Sequence, residues 1–240
     1  MTLLIGTAGS AIPRAVADAF GREGSALQRY ATRFAAVEVN SSFHRPHRRT
    51  TWERWAGSVP PGFRFSAKLP KTISHERKLV DCAEPLARFL DEVGGLGGKL
   101  AILLLQLPPK LAFDAAIADA FLRMATNATP VPIVCEPRHP SWFAEEADDL
   151  LRSHRIARVA ADPAVTPAAA HPGGWRGITY HRWHGSPDMY RSSYADRLDD
   201  IARTLAEDAA DATWCMFDNT ASGAATSDAL RLVDSMHDRN

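Results

Sequence analysis

Short apolar runs recur along the whole chain, at residues 3–6, 35–39, 63–67, 100–105, 132–136, 157–161, 177–181 and 213–217. Most are near-continuous rather than alternating, the pattern of strands covered by helices on one face and packed inside on the other. Between them, residues 26–34, 51–57, 85–93, 114–126, 141–154, 194–208 and 222–237 carry apolar side chains at i, i+3 and i+4 spacing. That spacing lays one apolar stripe along a helix. Ser25, Asp114 and Ser141 stand at the starts of three of these stretches as expected N-caps, because a short side-chain oxygen accepts from the first orphan N–H groups.

Eight β-type runs alternating with helices predict one α/β domain over residues 1–240, a TIM-barrel-like (β/α)8 fold with an eight-stranded parallel barrel. An open doubly wound sheet uses the same alternation, but the strand count favours the barrel. The sixth unit is irregular: residues 163–172 are rich in Ala and Pro, so a loop or short helix is expected there. In a closed barrel the first strand pairs with the last, and the closing pair is expected between Leu4 or Ile5 and Met216 or Phe217. Gly94-Gly95-Leu96-Gly97-Gly98 looks like a phosphate cradle but joins a helix to the following strand. That places it on the bottom face as helix stop and turn, and no Lys-Ser/Thr pair enters a helix behind it as a phosphate loop requires. Gly173-Gly174 reads the same way.

Charge narrows the function classes. The 28 basic and 28 acidic side chains cancel, which argues against coating nucleic acid or anionic lipid as the main task. The best basic patch, Arg45-Pro46-His47-Arg48-Arg49, reads as a solvated loop, so nucleic acid is a less favoured partner. No apolar run approaches the roughly 18 residues of a membrane span, and no membrane partner is expected. The first residues lack the basic and apolar regions of a secretory signal, so a cytoplasmic location is expected. Cys82, Cys135 and Cys215 are isolated, odd in number and without CxxC spacing, which predicts unpaired thiols, with Cys135 buried in the fifth strand.

The candidate chemistry gathers just past the strand ends. Thr7 follows the first strand, Glu38 and Asn40 the second, Lys68 the third and Gln106 the fourth. Glu136, Arg138 and His139 follow the fifth, Asp162 the sixth, Arg182 and His184 the seventh, and Asp218, Asn219 and Thr220 the eighth. Strand-to-loop boundaries are polar in any soluble protein, so position alone says little. Type says more. Glu38, Lys68, Glu136, Arg138, Arg182 and His184 combine charges that are costly in an idle pocket, and a barrel delivers its strand ends to one face.

Several of these stretches resemble the YecE-like family (domain of unknown function 72). They are Gly6-Thr7-Ala8-Gly9, Tyr30-Ala31 through Val37-Glu38-Val39-Asn40-Ser41-Ser42-Phe43, and Phe63-Arg64-Phe65-Ser66-Ala67-Lys68-Leu69-Pro70 continuing to His75. Glu136-Pro137-Arg138-His139-Pro140-Ser141-Trp142, Arg182-Trp183-His184-Gly185 and Phe217-Asp218-Asn219-Thr220 with Gly223-Ala224-Ala225 complete the set, in family order. The resemblance implies a TIM-barrel-like fold and carries no established reaction with it. Two departures stand out: Ser10-Ala11-Ile12 replaces the usual aromatics after the first glycines, and Asp218-Asn219 replaces a usual Asn-Asn pair.

Three readings of the face follow. In the favoured one a small anionic molecule, phosphorylated ones included, is bound and worked on by acid–base chemistry. Arg138 and Arg182 would grip it bidentately, Lys68 would serve as point charge or base, and Glu38 or Glu136 as base with His184 as acid. Thr7, Asn40, Asn219 and Thr220 would complete the ligand site, the last two at the turn before the final helix. No cofactor is required. The second reading is a divalent-metal hydrolase or isomerase resembling the xylose isomerase and endonuclease IV barrels, with ligands from Glu38, Glu136, His139, Asp162, His184 and Asp218, and with nucleic acid as a conceivable substrate. The third is a non-catalytic barrel using Trp52, Trp55, Trp142, Trp175 and Trp183 for a partner, although such residues more often pack helices onto the wall. Residues 71–78, with His75, are long and polar enough to serve as a lid.

Overall fold

The computed structural model describes residues 2–237. The first half of the chain runs β1 (Thr2–Thr7), α1 (Ala26–Tyr30), β2 (Ala36–Val39), α2 (Ser41–His44), α3 (Arg49–Gly57), β3 (Arg64–Lys68), α4 (Ala83–Val93) and β4 (Leu100–Gln106). The second runs α5 (Ala115–Ala128), β5 (Ile133–Glu136), α6 (Glu145–Ser153), β6 (Ala157–Arg158), β7 (Ala160–Asp162), β8 (Gly173–Gly174), β9 (Ile178–Trp183), α7 (Leu198–Ala206), β10 (Ala212–Phe217) and α8 (Ala224–His237). Every strand expected from the apolar runs is present, within two residues at each end.

The strands form two sheets rather than one continuous ladder: β1-β10-β9-β7, and β2-β3-β4-β5-β6-β8. All pairings are parallel except β6 with β8. The first and last long strands pair as expected, but the register differs, with Leu4 opposite Trp214, Ile5 opposite Cys215 and Thr7 opposite Phe217. The sheets approach each other at two seams. At one, Ala8 bridges to Glu38 in parallel sense and the Gly9 amide donates to the Glu38 carbonyl at 2.8 Å. At the other, the run 157–162 pairs with β5 through Ala157 and Arg158, and with β9 through Ala160 to Asp162. A bulge at Ala101, where Phe65 pairs with Leu100 and Ser66 with Ile102, bends the wall between β3 and β4.

Alternation divides the core into two layers. Val37, Phe65, Leu103, Leu105, Ile133, Cys135, Cys215 and Phe217 face the helices, while Ala36, Ile102, Leu104, Val134, Val159, Tyr180, Trp214 and Met216 pack against one another as a second cluster. Tyr180 stacks on Trp214 there, with centroids 5.8 Å apart. The three cysteines are free and buried. Trp52 and Trp142 are buried among the helices rather than displayed.

Local chemistry explains where helices depart from expectation. Ser25 caps α1 in a full capping box with Gln28, yet α1 ends at Tyr30 because the chain turns at once into β2 and the Tyr30 hydroxyl ties the two, donating to the Ala36 carbonyl at 3.1 Å. Asp114 caps α5 as expected. Ser141 does not cap a helix. Pro140 begins a single 3-10 turn, and the Trp142 indole N–H anchors it to the Leu111 carbonyl at 3.0 Å. The Ser141 hydroxyl accepts from the Phe113 amide instead, and α6 starts at Glu145. Gly173-Gly174 is not a simple turn but the short antiparallel strand β8. A side chain at Gly173 would collide with the Arg158 guanidinium, 2.1 Å from the position of its Cβ. The crossover before it is loop and a 3-10 turn at Pro167–Ala170, as its composition suggests.

Candidate active site

The alternation that buries Trp214 and Met216 inside brings Asp218 to the same side of β10, and that of Tyr180 brings Arg182 and His184. Glu38 above Ala36, Ser66 and Lys68 on β3, Gln106 above Leu104, and Glu136 above Val134 share this parity. These side chains make one hydrogen-bonded network at the C-terminal ends of the strands.

Arg182 sits at its centre with a fully buried side chain. Its guanidinium donates to Glu38 twice (2.9 and 2.6 Å), to Glu136 Oε2 at 2.5 Å and to Asp218 Oδ2 at 2.9 Å. Three carboxylates from β2, β5 and the end of β10 thus close on one fork, which matches carboxylate geometry bidentately. Burial alone would disfavour the charged form, but the three carboxylates hold the arginine protonated far above its usual range. Tyr180 adds a donor from below, 2.8 Å from Glu38 Oε2, with Ser66 Oγ 3.0 Å from its hydroxyl.

His184 bridges two of the same carboxylates, with Nδ1 2.9 Å from Asp218 Oδ2 and Nε2 3.2 Å from Glu136 Oε1. Burial pulls the imidazole toward neutrality, but the Glu136 charge and both hydrogen bonds outweigh it, and its pKa is raised. Glu136 and Asp218 move the other way. Burial pushes both up, yet Arg182 and then His184 or its hydrogen bond hold them below the usual carboxylate range. Glu136 Oε1 also accepts from Gln106 Nε2 at 3.0 Å and Arg138 Nε at 2.9 Å.

Two cations occupy the outer edge. Arg138 keeps an 18% exposed side chain, and its remaining nitrogens lie 3.2 Å from the Tyr190 hydroxyl and 3.4 Å from His184 Nε2. Lys68 donates to Gln106 Oε1 at 2.6 Å and lies 4.1 Å over the Phe43 ring, and among the described residues it makes no ion pair. Burial, aided by the Arg182 charge and opposed by the carboxylates, lowers its pKa to about 8. His75, packed edge-on against Phe43 at 4.8 Å, feels burial and the charges of Lys68 and Arg138, and its pKa is lowered. A cavity of about 210 Å3 opens beside Glu136, Arg138 and His184, with Phe143, Val159, Ala161 and Met189 as apolar walls.

Glu38, Lys68, Glu136, Arg138, Arg182 and His184 therefore meet in one place, and Asn40 reaches them through Nδ2, 3.4 Å from Asp218 Oδ1. Other expected positions lie elsewhere. Thr7 has the opposite parity and faces α1, its hydroxyl bonded to Gly9 O and Tyr30 Oη. Asn219 is also one residue out of phase and ties Ser192 O to Asp228, while Thr220 is exposed in the turn before α8. Arg182 is placed as expected, but its donors are taken by carboxylates, so it does not present a fork to a ligand. His139 pairs with Ser141, and Asp162 with Tyr194 and Arg197, away from the other proposed metal ligands. Among the described residues no three His, Cys, Asp or Glu side chains are grouped to hold a metal ion. Gln106, Asp218 and Tyr180 belong to the network although they are not in the predicted catalytic and ligand-binding set. For Asp218 the signal was the two-residue period Trp214, Met216, Asp218; Tyr180 was masked by the apolar run that contains it.

Residues 4–240 match the family described as "Protein of unknown function DUF72". The UPF0759 protein YecE of Escherichia coli K12 is 32% identical over 151 residues, which cover 60% of this chain and 55% of that protein. Its counterpart in E. coli O157:H7 is 32% identical over 126 residues, covering 52% and 46%. The matched region spans about half the length of these relatives. The crystal structure of a DUF72 family protein from Enterococcus faecalis V583 superposes with a TM-score of 0.82 at 19% identity, covering 98% of this chain and 96% of that one. One from Thermotoga maritima MSB8 gives 0.81 at 22% identity, covering 99% and 100%. A xylose isomerase-like TIM barrel/4-hydroxyphenylpyruvate dioxygenase fusion protein gives 0.55 at 13% identity, covering 98% of this chain and 42% of that one. At these identities the likeness is one of fold. No helix among the described residues is long and apolar enough to cross a membrane.

Proposed function

The chain belongs to the DUF72 family, and from that premise we propose that its C-terminal strand ends bind a small anion, a carboxylate or phosphate, on Lys68 and Arg138, with His184 as general acid. The two sheets then act as one eight-stranded wall, joined at the Ala8–Glu38 bridge and along 157–162. The observation that carries this reading is the charge pattern of the network. Three carboxylates are each engaged by Arg182, while two further cations stand at the outer edge, one of them with no carboxylate partner among the described residues. A nearly buried, unpaired ammonium is costly, and an anion placed against it relieves that cost.

The division of labour differs from the one drawn from residue types alone. Glu38 has both oxygens on Arg182 and Tyr180, so it serves as counter-ion rather than base. Arg182 acts as a positioning residue that holds Glu136 and Asp218 in register for His184. His184, held between those two carboxylates beside the cavity, is poised to donate to a ligand oxygen, and Glu136, with both oxygens engaged, serves like Glu38 as a counter-ion. The second reading, a divalent-metal centre, finds a guanidinium among Glu38, Glu136 and Asp218, at the place such an ion would need.

A thermal-shift titration with phosphate and small carboxylates tests the proposal. At a ligand concentration 100-fold above Kd, stabilisation is about 2.7 kcal/mol, which for a domain of this size raises Tm by roughly 5–10 °C. Arg138→Ala should remove the shift. Arg49→Ala, whose guanidinium pairs with Glu53 and Asp91 elsewhere, should retain it. A wild-type protein indifferent to every anion but stabilised by manganese or zinc would replace this reading with the metal one.

A further inference from the structure

We propose that Lys68 is a nucleophilic amine that forms an imine with the carbonyl group of an anionic oxo compound, so that the site takes an oxo acid or a phosphorylated aldehyde or ketone. The inference deepens the anion reading and rests on it, because it names the class of anion and the atom that reacts.

The argument begins with how Lys68 is held. Its residue is only 7% exposed, yet among the described residues the ammonium has a single polar protein partner, the Gln106 side-chain oxygen at 2.6 Å. A lysine whose task was to balance charge would sit against a carboxylate. Glu38, Glu136 and Asp218 are close enough to act on it electrostatically, but Arg182 occupies the space among them. Gln106 is in turn pinned, since its amide nitrogen donates to Glu136 Oε1 at 3.0 Å. The amide oxygen therefore stays turned to Lys68. Phe43 below it and the His75 ring packed against Phe43 supply an aromatic wall. The charges that act on the amine are Arg182 on one side of the balance and the three carboxylates on the other. Burial and Arg182 prevail, and an appreciable fraction of the amine is neutral near pH 7.5. Desolvation next to another cation is one of the ways a lysine becomes a nucleophile.

The chemistry balances without a further reactant. The neutral amine's lone pair forms the C–N bond while the carbonyl π pair moves to oxygen, and one amine proton passes to that oxygen to give a carbinolamine. The hydroxyl then leaves as water with a proton from solvent, and the nitrogen lone pair closes the C=N bond of a protonated imine. Arg138, on the cavity side, would hold the anionic group of the same molecule.

Four other lysines provide an internal control, and Lys71, Lys78 and Lys110 among them are exposed. The wild-type protein is treated at pH 7.5 with cyanoborohydride and either glyoxylate, an anionic aldehyde, or formaldehyde, a neutral one, and modified positions are mapped by mass spectrometry. Lys68 should be reduced onto both reagents at least about tenfold faster than the exposed lysines, as its larger neutral fraction requires. Its rate should rise to half-maximum near pH 8, against a later rise for the others. Labelling of Lys68 at or below the rate of the exposed lysines with both aldehydes overturns the proposal; if phosphate still raises Tm, the anion reading survives that failure. Selective labelling by formaldehyde but not glyoxylate overturns the assignment to an anionic oxo compound, and a Tm that phosphate leaves unmoved then removes the anion reading as well.

Discussion

Replacing Lys68 by methionine should make the protein more stable at neutral pH while removing anion binding. The side chain is nearly buried, and its pKa falls from 10.5 to about 8. Each unit is worth about 1.36 kcal/mol, so keeping the ammonium in place costs on the order of 3 kcal/mol at pH 7 relative to the neutral amine. Methionine matches the length of the stem, keeps contact with Phe43 and carries no charge. Part of the gain is lost because Gln106 forfeits its partner, which costs about 1 kcal/mol. A net stabilisation of about 1–3 kcal/mol is expected, or roughly 2–4 °C in Tm per kcal/mol for a domain of this size. The pH dependence carries the sign. With a folded pKa below the unfolded one, the stability linked to Lys68 is fully present above pH 10.5 and is lost as pH falls through 8. The advantage of Lys68→Met over wild type should therefore be full at pH 7 and shrink as pH rises from 8 toward 10.5. Urea denaturation of both proteins across that range measures it, since other groups titrate alike in the two. A variant less stable than wild type at pH 7, or an advantage that does not shrink with pH, would refute the claim that this ammonium is held at a cost.

Arg182→Met should lose at least about 3–5 kcal/mol, because three buried carboxylates are left without their counter-ion, and equilibrium unfolding or soluble yield reads it. His184 has a raised folded pKa, so its contribution is complete below its ordinary value of 6.5 and disappears as pH rises through the folded value. The stability difference between wild type and His184→Gln should fall over that window in denaturation series. Asp114→Ala should cost about 1 kcal/mol through loss of the α5 cap and leave any anion-induced shift unchanged.

Much of this architecture is written in the local pattern of the chain. Near-continuous apolar runs mark all the long strands, because a strand packed on both faces has no polar side to show. Period two even sorts neighbours within a strand: Asp218 follows Trp214 and Met216 inward, whereas Asn219 and Thr7 turn toward the helices. Residue type at the strand ends was enough to name six of the seven charged members of the network, all but Asp218. What each does was not legible, because it depends on which charges meet. Arg182 reads as a ligand-gripping arginine until Glu38, 144 positions away, and Glu136, 46 positions away, close on it. Lys68 reads as one more cation until those carboxylates are seen to be taken, leaving it with an amide oxygen and an aromatic ring. Periodicity is set by backbone geometry and survives in any window of sequence, whereas ion pairing is decided by distance in space, and only the folded wall brings β2, β3, β5, β9 and β10 within a few ångströms of one another.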